Sequence, residues 1–342
     1  MRRYLLLYLS AVFVFCVFLL GGILWMDQAD QRTEVPFDSQ ITVYTTLTQE
    51  EATLLASSYQ QIYHVKVNVN CLSEADLTAE LERANHDADV VLASSNVVEK
   101  LSQKKLFTPL QAGDIDLVPP TLKSADAQWV GVWYDPFVIG LNRDFMVKLS
   151  PVPATWADIA RPHEMRVVVT DFLMADASAH FFVTYMKHNG QAATYDWLER
   201  LHPNIVSYAK YLSTPSRTIG IGEADAAITL QSEAIRYIHD GFPIAIVMPY
   251  DGTPYLLTAG GVCQASQTPQ EAEAFIRWLL TEEAQMVLSG QNYFYVPSNP
   301  TLPSYHSFTY QTENLWESNP LLTDKEKYRL LDKWVQEIRL AK

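Results

Sequence analysis

The sequence predicts an α/β protein built on a mostly parallel sheet. Three observations carry that prediction. Short β-branched runs alternate with helical periodicity from residue 41 onward, helix-start signals follow the runs, and small or polar residues separate the two patterns. Ile41-Thr-Val-Tyr44 has the alternation of a strand. Thr48-Gln-Glu-Glu51 then offers a capping box, and Ala52, Leu55, Ala56, Tyr59 and Ile62 recur at helical spacing. His64–Val69 reads as a second strand, residues 74–86 as a second helix, and Ala88–Leu92 as a third strand ending in Ala93-Ser94-Ser95. Parallel neighbours need a crossover between them, and helices in these gaps supply it.

Further along, Trp129–Leu141 is strand-rich and broken by Pro136. Residues 166–170 form another strand, followed by a helix over about 177–189 that Asn189-Gly190 ends, and by a helix over Ala192–Leu201. Ala226–Thr229 and Pro243–Met248 are strands flanking a helix around Ser232–His239. Thr268-Pro269-Gln270-Glu271 starts a helix, with Thr as cap, Pro at the first helical position and Glu three residues on. It runs to Ser289-Gly290 with a break expected near Thr281. A last amphipathic helix carries Tyr328, Leu331, Trp334 or Val335, and Ile338. No internal repeat or low-complexity tract interrupts the chain.

The first residues bear on compartment. Residues 4–26 contain no charged side chain, enough at about 1.5 Å per residue to cross a hydrocarbon core that needs roughly 20 apolar residues. Arg2 and Arg3 precede the run; Asp27, Asp30 and Glu34 follow it. Positive charge stays on the cytoplasmic side, so the remainder is expected outside. A signal anchor is favoured over a cleavable signal peptide, whose apolar region spans only about 7–15 residues. Asp27-Gln28-Ala29 is a poor cleavage site, and Cys16 lies mid-run. Residues 27–40 read as a linker.

Composition narrows the function. A formal net charge of −14 argues against nucleic acid or anionic lipid as a partner, since both require basic surface. Beyond Cys16 the chain has Cys71 and Cys263, which form either one disulfide or two free thiols. There is no G-x-S-x-G and no H-E-x-x-H, and Gly220-Ile-Gly222-Glu223 lacks the third glycine and the Lys-Ser/Thr of a phosphate loop. No catalytic residue, metal site or cofactor is expected, and no enzyme.

Candidate ligand contacts sit at strand ends, where open α/β sheets bind ligands and helix N-termini present unpaired N–H groups. Thr45 and Thr46 follow the first strand; Ser94 and Ser95 follow the third. The alternative for each pair is a helix cap. Trp133-Tyr134-Asp135 offers stacking aromatics, although adjacent strand residues face opposite sides, and core packing competes for Trp133. Tyr250-Asp251-Gly252-Thr253-Pro254-Tyr255 combines hydroxyls with exposed amides, or is a plain turn.

Taken in order, these segments resemble solute-binding proteins of bacterial ABC importers, in the type II periplasmic-binding superfamily. The matching branch includes ferric-iron, phosphonate and sugar-phosphate binders. The resemblance rests on Ile41–Thr46, Ala88–Ser95, Glu99–Leu110, Gly131–Asn142, Pro153–Asp158, Gly222–Ile228, Gly241–Thr253 and Glu271–Gln285. It implies a two-lobed clamshell with two hinge strands, preceded by the N-terminal transmembrane helix. Residues 41–138 would form lobe 1, 139–248 lobe 2, and 249–342 would return to lobe 1 with the C-terminal helices. It further implies a monomer that captures a small molecule outside the cytoplasm and delivers it to an ABC permease with its ATPase. A membrane-anchored ligand sensor and a degenerate non-binding surface protein are the alternatives.

Carried residue by residue, the resemblance places Thr45, Thr46, Ser94, Ser95, Trp133, Tyr134, Tyr250, Gly252 and Thr253 near the ligand. Two positions depart from the pattern. Where ferric binders have adjacent tyrosines this chain has Ser232-Glu233, which argues against tyrosine-ligated iron. Where many relatives have Asp-Pro-x-x-Ser-Gly-Thr it has Asp171-Phe-Leu-Met-Ala-Asp-Ala-Ser178, which weakens a phosphate reading. Asp176 and Glu233 therefore bring carboxylates to the expected cleft and favour a cationic or polyhydroxyl ligand.

Overall fold

A computed structural model describes residues 37, 39–83, 85–111, 113–161, 165–308, 314–316 and 324–340. The expected transmembrane segment at 4–26 lies outside these, as does most of the linker. Among the described residues no helix is long and apolar enough to cross a membrane. Residues 39–342 form one compact unit.

The chain opens with β1 (Ser39–Thr45), α1 (Gln49–Tyr63), β2 (Val65–Cys71), α2 (Glu74–Leu81), β3 (Val90–Ser94) and α3 (Ser95–Gln103). Thr48 caps α1 as its sequence predicts, accepting from the Glu51 amide at 3.2 Å. β1 runs parallel to both β2 and β3. After the short β4 (Phe107–Thr108) comes β5 (Val130–Asn142), all of whose residues are buried. The expected break at Pro136 does not occur. Proline lacks an N–H, and here it sits where β5 changes partners: residues up to Pro136 pair with β10, and Phe137 onward with β8.

Next come α4 (Arg143–Met146), β6 (Val167–Thr170), α5 (Asp176–Asn189), α6 (Gln191–Leu201), β7 (Ile205–Ala209), α7 (Thr214–Gly220), β8 (Ala226–Leu230), α8 (Gln231–His239) and β9 (Ile244–Val247). The chain then forms β10 (Tyr255–Cys263), α9 (Pro269–Leu279), α10 (Glu282–Ser289), β11 (Val296–Pro297), α11 (Pro303–Ser307) and α12 (Asp324–Trp334), which widens into a π-turn over Val335–Arg339. The break expected near Thr281 separates α9 from α10, with Thr281 as cap of α10. Thr268 does not cap α9 through its side chain.

Among the described residues the strands follow the order β2-β1-β3-β10-β5-β8-β6-β7, with β4 on β10 and both β9 and β11 on β5. The sheet is parallel at its two ends. At its centre β10 and β5 are antiparallel to each other and to their outer neighbours β3 and β8, because the chain doubles back there. Two cores cover it. One is built from residues between Ile41 and Tyr134 together with Tyr255–Val296, the other from residues between Phe137 and Leu230. Trp316, Leu331, Trp334 and Ile338 join the second core, so the last helix does not return to the first as expected. Its apolar stripe matches the surface left by α5 and α6. Tyr328, expected on that stripe, is exposed. Cys71 and Cys263 are free thiols.

Candidate functional site

A cavity of about 310 Å³ opens beyond the C-terminal ends of β1 and β3, at the low end of the range of about 300–1,000 Å³ typical of ligand pockets. Both cores contribute walls. Thr46, Ser94, Ser95 and Asn96 line it on one side, Asp176, Ala177 and His180 on the other; Leu256, Leu257 and Thr258 of β10 and Lys327 of α12 also reach it.

Local sequence explains how each wall is placed. β3 ends in Ser94 and α3 begins at Ser95 with no residue between, so the first turn of the helix faces the cavity. The Ser94 hydroxyl does not cap α3; it donates to Glu74 Oε1 at 2.5 Å. Across the cavity, α5 begins at Asp176 after Ala175, which has no side chain capable of capping. Two helix N-termini thus meet one space without side-chain caps. The first N–H groups of a helix lack intrahelical partners and carry the positive end of the helix dipole.

The formal charges at the cavity cancel in number. Glu74 and Asp176 oppose Lys100 and Lys327, and Lys327 Nζ donates to Asp176 Oδ1 at 2.7 Å. His180 adds no charge near neutral pH, since burial, with a contribution from Lys327, pushes its imidazole down to about 4. Its two ring nitrogens lie 3.3 Å from Asn96 Nδ2 and 3.3 Å from Thr184 Oγ1. What remains is a small space in which hydroxyl and amide groups sit among apolar walls from Leu47, Ala179, Val183, Leu256 and Leu257, with a helix N-terminus on each side.

Of the residues singled out by sequence, the structure brings Thr46, Ser94, Ser95 and Asp176 together at this cavity. The others lie elsewhere. Thr45 is fully buried beside it, donating to Leu92 O at 2.6 Å and accepting from the Leu47 amide, so it shapes the turn that presents Thr46. Trp133 is 1% exposed and stacks on Tyr295 with ring centroids 5.6 Å apart; Tyr134 is buried edge-on to Tyr255. Both face core because β5 is covered on its two sides. Glu233 is ion-paired with Arg236 one turn along α8. Tyr250 is exposed.

Gly252 and Thr253 belong to a structural turn. Gly252 has φ +93°, and a side chain there would collide with the Trp316 indole, which donates to Asp251 O at 3.0 Å. Thr253 is fully buried, its hydroxyl donating to Phe137 O at 2.7 Å. The carboxylate pair that favoured a cationic ligand therefore does not assemble at this cavity. Glu233 is paired elsewhere, and Asp176 has its own counter-ion.

Asn96, His180 and Lys327 are among the polar cavity residues that the sequence did not single out, as are Glu74, Lys100 and Thr258. Asn96 follows Ser95 at a helix start, and His180 lies four residues beyond Asp176 on the same helical face, so both carried a readable signal. Lys327 carried none, since only the docking of α12 on the second core brings it here.

Residues 41–293 match the family of bacterial extracellular solute-binding proteins. The chain belongs to that family. It is 24% identical over 277 residues to the Fe(3+)-binding periplasmic protein of Serratia marcescens, covering 75% of this chain and 78% of the relative. To the major ferric iron-binding protein of Neisseria gonorrhoeae it is 25% identical over 287 residues, covering 79% and 84%. Among solved structures, the periplasmic binding protein AfuA of Actinobacillus pleuropneumoniae with fructose-6-phosphate bound superposes with a TM-score of 0.67 at 22% identity, covering 89% of this chain and all of that one. The ferric binding protein of Campylobacter jejuni gives 0.71 at 17% identity over 86% and 98%. The fold is that of a type II periplasmic solute-binding protein. Family membership carries solute binding for ABC import, with the protein working outside the cytoplasm, and its relatives are transport components and not enzymes.

Proposed function

We propose that the protein captures a small hydroxylated anion, a solute bearing a phosphate or carboxylate head group, and presents it to its permease. The observation that carries this reading is the convergence of two helix N-termini, from α3 and α5, on a cavity whose formal charges otherwise cancel. Backbone N–H groups held in place recognise an anion without the reorganisation that flexible cations require. Thr46, Ser94, Ser95 and Thr258 supply hydroxyls for the remainder of the solute. AfuA was solved with a sugar phosphate, and a Trichodesmium relative with iron and citrate; both ligand sets include a hydroxylated anion.

The walls come from both cores, so the two halves of the sheet act as lobes 1 and 2, and ligand contacts made by both favour the closed arrangement. Ferric iron held by protein side chains alone fits less well. Among the described residues no tyrosine lines the cavity, and no cluster of three or more His, Cys, Asp or Glu side chains is placed to hold a metal.

Thermal-shift and calorimetric titration of the purified protein with fructose 6-phosphate, citrate, inorganic phosphate, fructose, ferric chloride and spermidine tests the proposal. Stabilisation by fructose 6-phosphate or citrate, with fructose inert, is the expected result, and the response of each anion separates a phosphate from a carboxylate head group. Stabilisation by fructose, ferric chloride or spermidine alone overturns it, as does an inert response to the whole panel.

A further inference from the structure

Lys327 lies beyond the segment that matches the family, which ends at residue 293. It nevertheless reaches the cavity, because α12 is fixed to the second core from Leu330 onward, about one turn beyond Lys327. Leu331, Trp334 and Ile338 are buried there, Tyr195 donates its hydroxyl to Leu330 O at 3.1 Å, and Arg339 is ion-paired at 2.6 Å with Asp171, which is 1% exposed. A lysine on a helix anchored in this way is held in place before any ligand arrives. Its ammonium is in contact with Asp176, the first residue of α5, whose side chain is 79% exposed.

The carboxylate of Asp176 thus occupies the place of an anion: it stands at a helix N-terminus and is met by a cation from a separate element. We propose that Lys327 is an anion-recognising residue supplied by the C-terminal helix, and that Asp176 is a built-in stand-in for the ligand, displaced from Lys327 when the solute's anionic group enters. The inference rests on the anion reading of the cavity given above. One geometric fact supports it. Lys327 and Asp176 both line the cavity, so a solute entering from its open side meets the pair.

An ion pair this exposed contributes little to folding, so both partners can be replaced without loss of the fold. Lys327→Gln and Asp176→Asn break the same bond. If the pair were merely structural, the two variants would shift binding in the same direction. With Asp176 as stand-in and Lys327 as recogniser they shift it in opposite directions.

Calorimetric titration of the full chain with fructose 6-phosphate and citrate is the experiment, with unliganded melting temperatures as the control for folding. The expected result is affinity at least tenfold weaker for Lys327→Gln and severalfold tighter for Asp176→Asn, for whichever anion the unaltered protein binds. Equal weakening in both variants, or no change in Lys327→Gln, overturns the inference while leaving the anion reading intact. If the unaltered protein binds neither anion, the anion reading fails and this inference falls with it.

Discussion

Asn96 and His180 meet across the cavity, Nδ2 to Nδ1 at 3.3 Å, the first from the opening turn of α3 and the second from α5. One residue belongs to each side of the site, so the contact exists only while the two sides are close. Asn96→Ala removes it. Net hydrogen-bond energies of about 0.5–1.5 kcal/mol correspond to affinity for fructose 6-phosphate weaker by roughly two- to tenfold, with a larger radius of gyration in solution scattering before ligand is added. Unchanged affinity and radius would remove the contact from any role in closure.

His180 also gives the protein a specific acid sensitivity. Its imidazole is held down to about 4 by burial, below the 6.5 of a free histidine, so the unfolded chain takes up a proton at a higher pH than the native one. The stability associated with the neutral ring is complete above about pH 6.5 and is lost as pH falls toward 4. In His180→Gln the decline in melting temperature between pH 6.5 and 4.5 is expected to be shallower. An identical decline in the variant would place the sensitivity elsewhere.

Asp135 works in the opposite sense. It is 4% exposed, accepts from the Ser232 amide at 3.0 Å and from its hydroxyl at 2.5 Å, and burial still pushes its carboxyl up to about 7. The native state therefore holds a proton that the unfolded chain has already released, and stability falls as pH rises from about 4 to 7. Asp135→Asn removes the charge and keeps an acceptor for one Ser232 bond. Relative to the unaltered protein, its melting temperature is expected to gain on going from pH 5 to pH 8. A difference that stays constant with pH would contradict the assignment.

Trp133→Ala tests whether that ring belongs to the core. Truncating a buried tryptophan costs about 3–5 kcal/mol, read as a lower urea midpoint. Once allowance is made for the fraction folded, affinity for the solute is expected to be unchanged, because the ring stacks on Tyr295 and does not line the cavity.

The sequence showed the alternation of strands and helices, the family resemblance and four of the sixteen residues in the cavity wall. Thr46, Ser94 and Ser95 were legible because a strand end followed at once by a helix start has few ways to orient its side chains. Trp133 and Tyr134 were not, because a strand with one covered face and a strand with two read alike when every residue is apolar or aromatic. Pro136 looked like a break because proline usually ends strands, and only the exchange of partners along β5 shows why it is tolerated. Glu233 looked available because its counter-ion Arg236 becomes a neighbour only through the helical turn that separates them. Lys327 depends on where a helix docks some 150 residues after its ion-pair partner, which no local pattern encodes.

The position of β10 has a consequence for how the molecule comes into being. Among the described strands, β2, β1 and β3 meet the rest of the sheet only through β10, residues 255–263, and the second core is completed by Trp334 and Ile338, far along the chain from the strands it covers. Neither core can therefore close around a nascent chain before those late segments have been made. For a protein whose family works outside the cytoplasm, such an order of completion is compatible with folding after the chain has crossed the membrane.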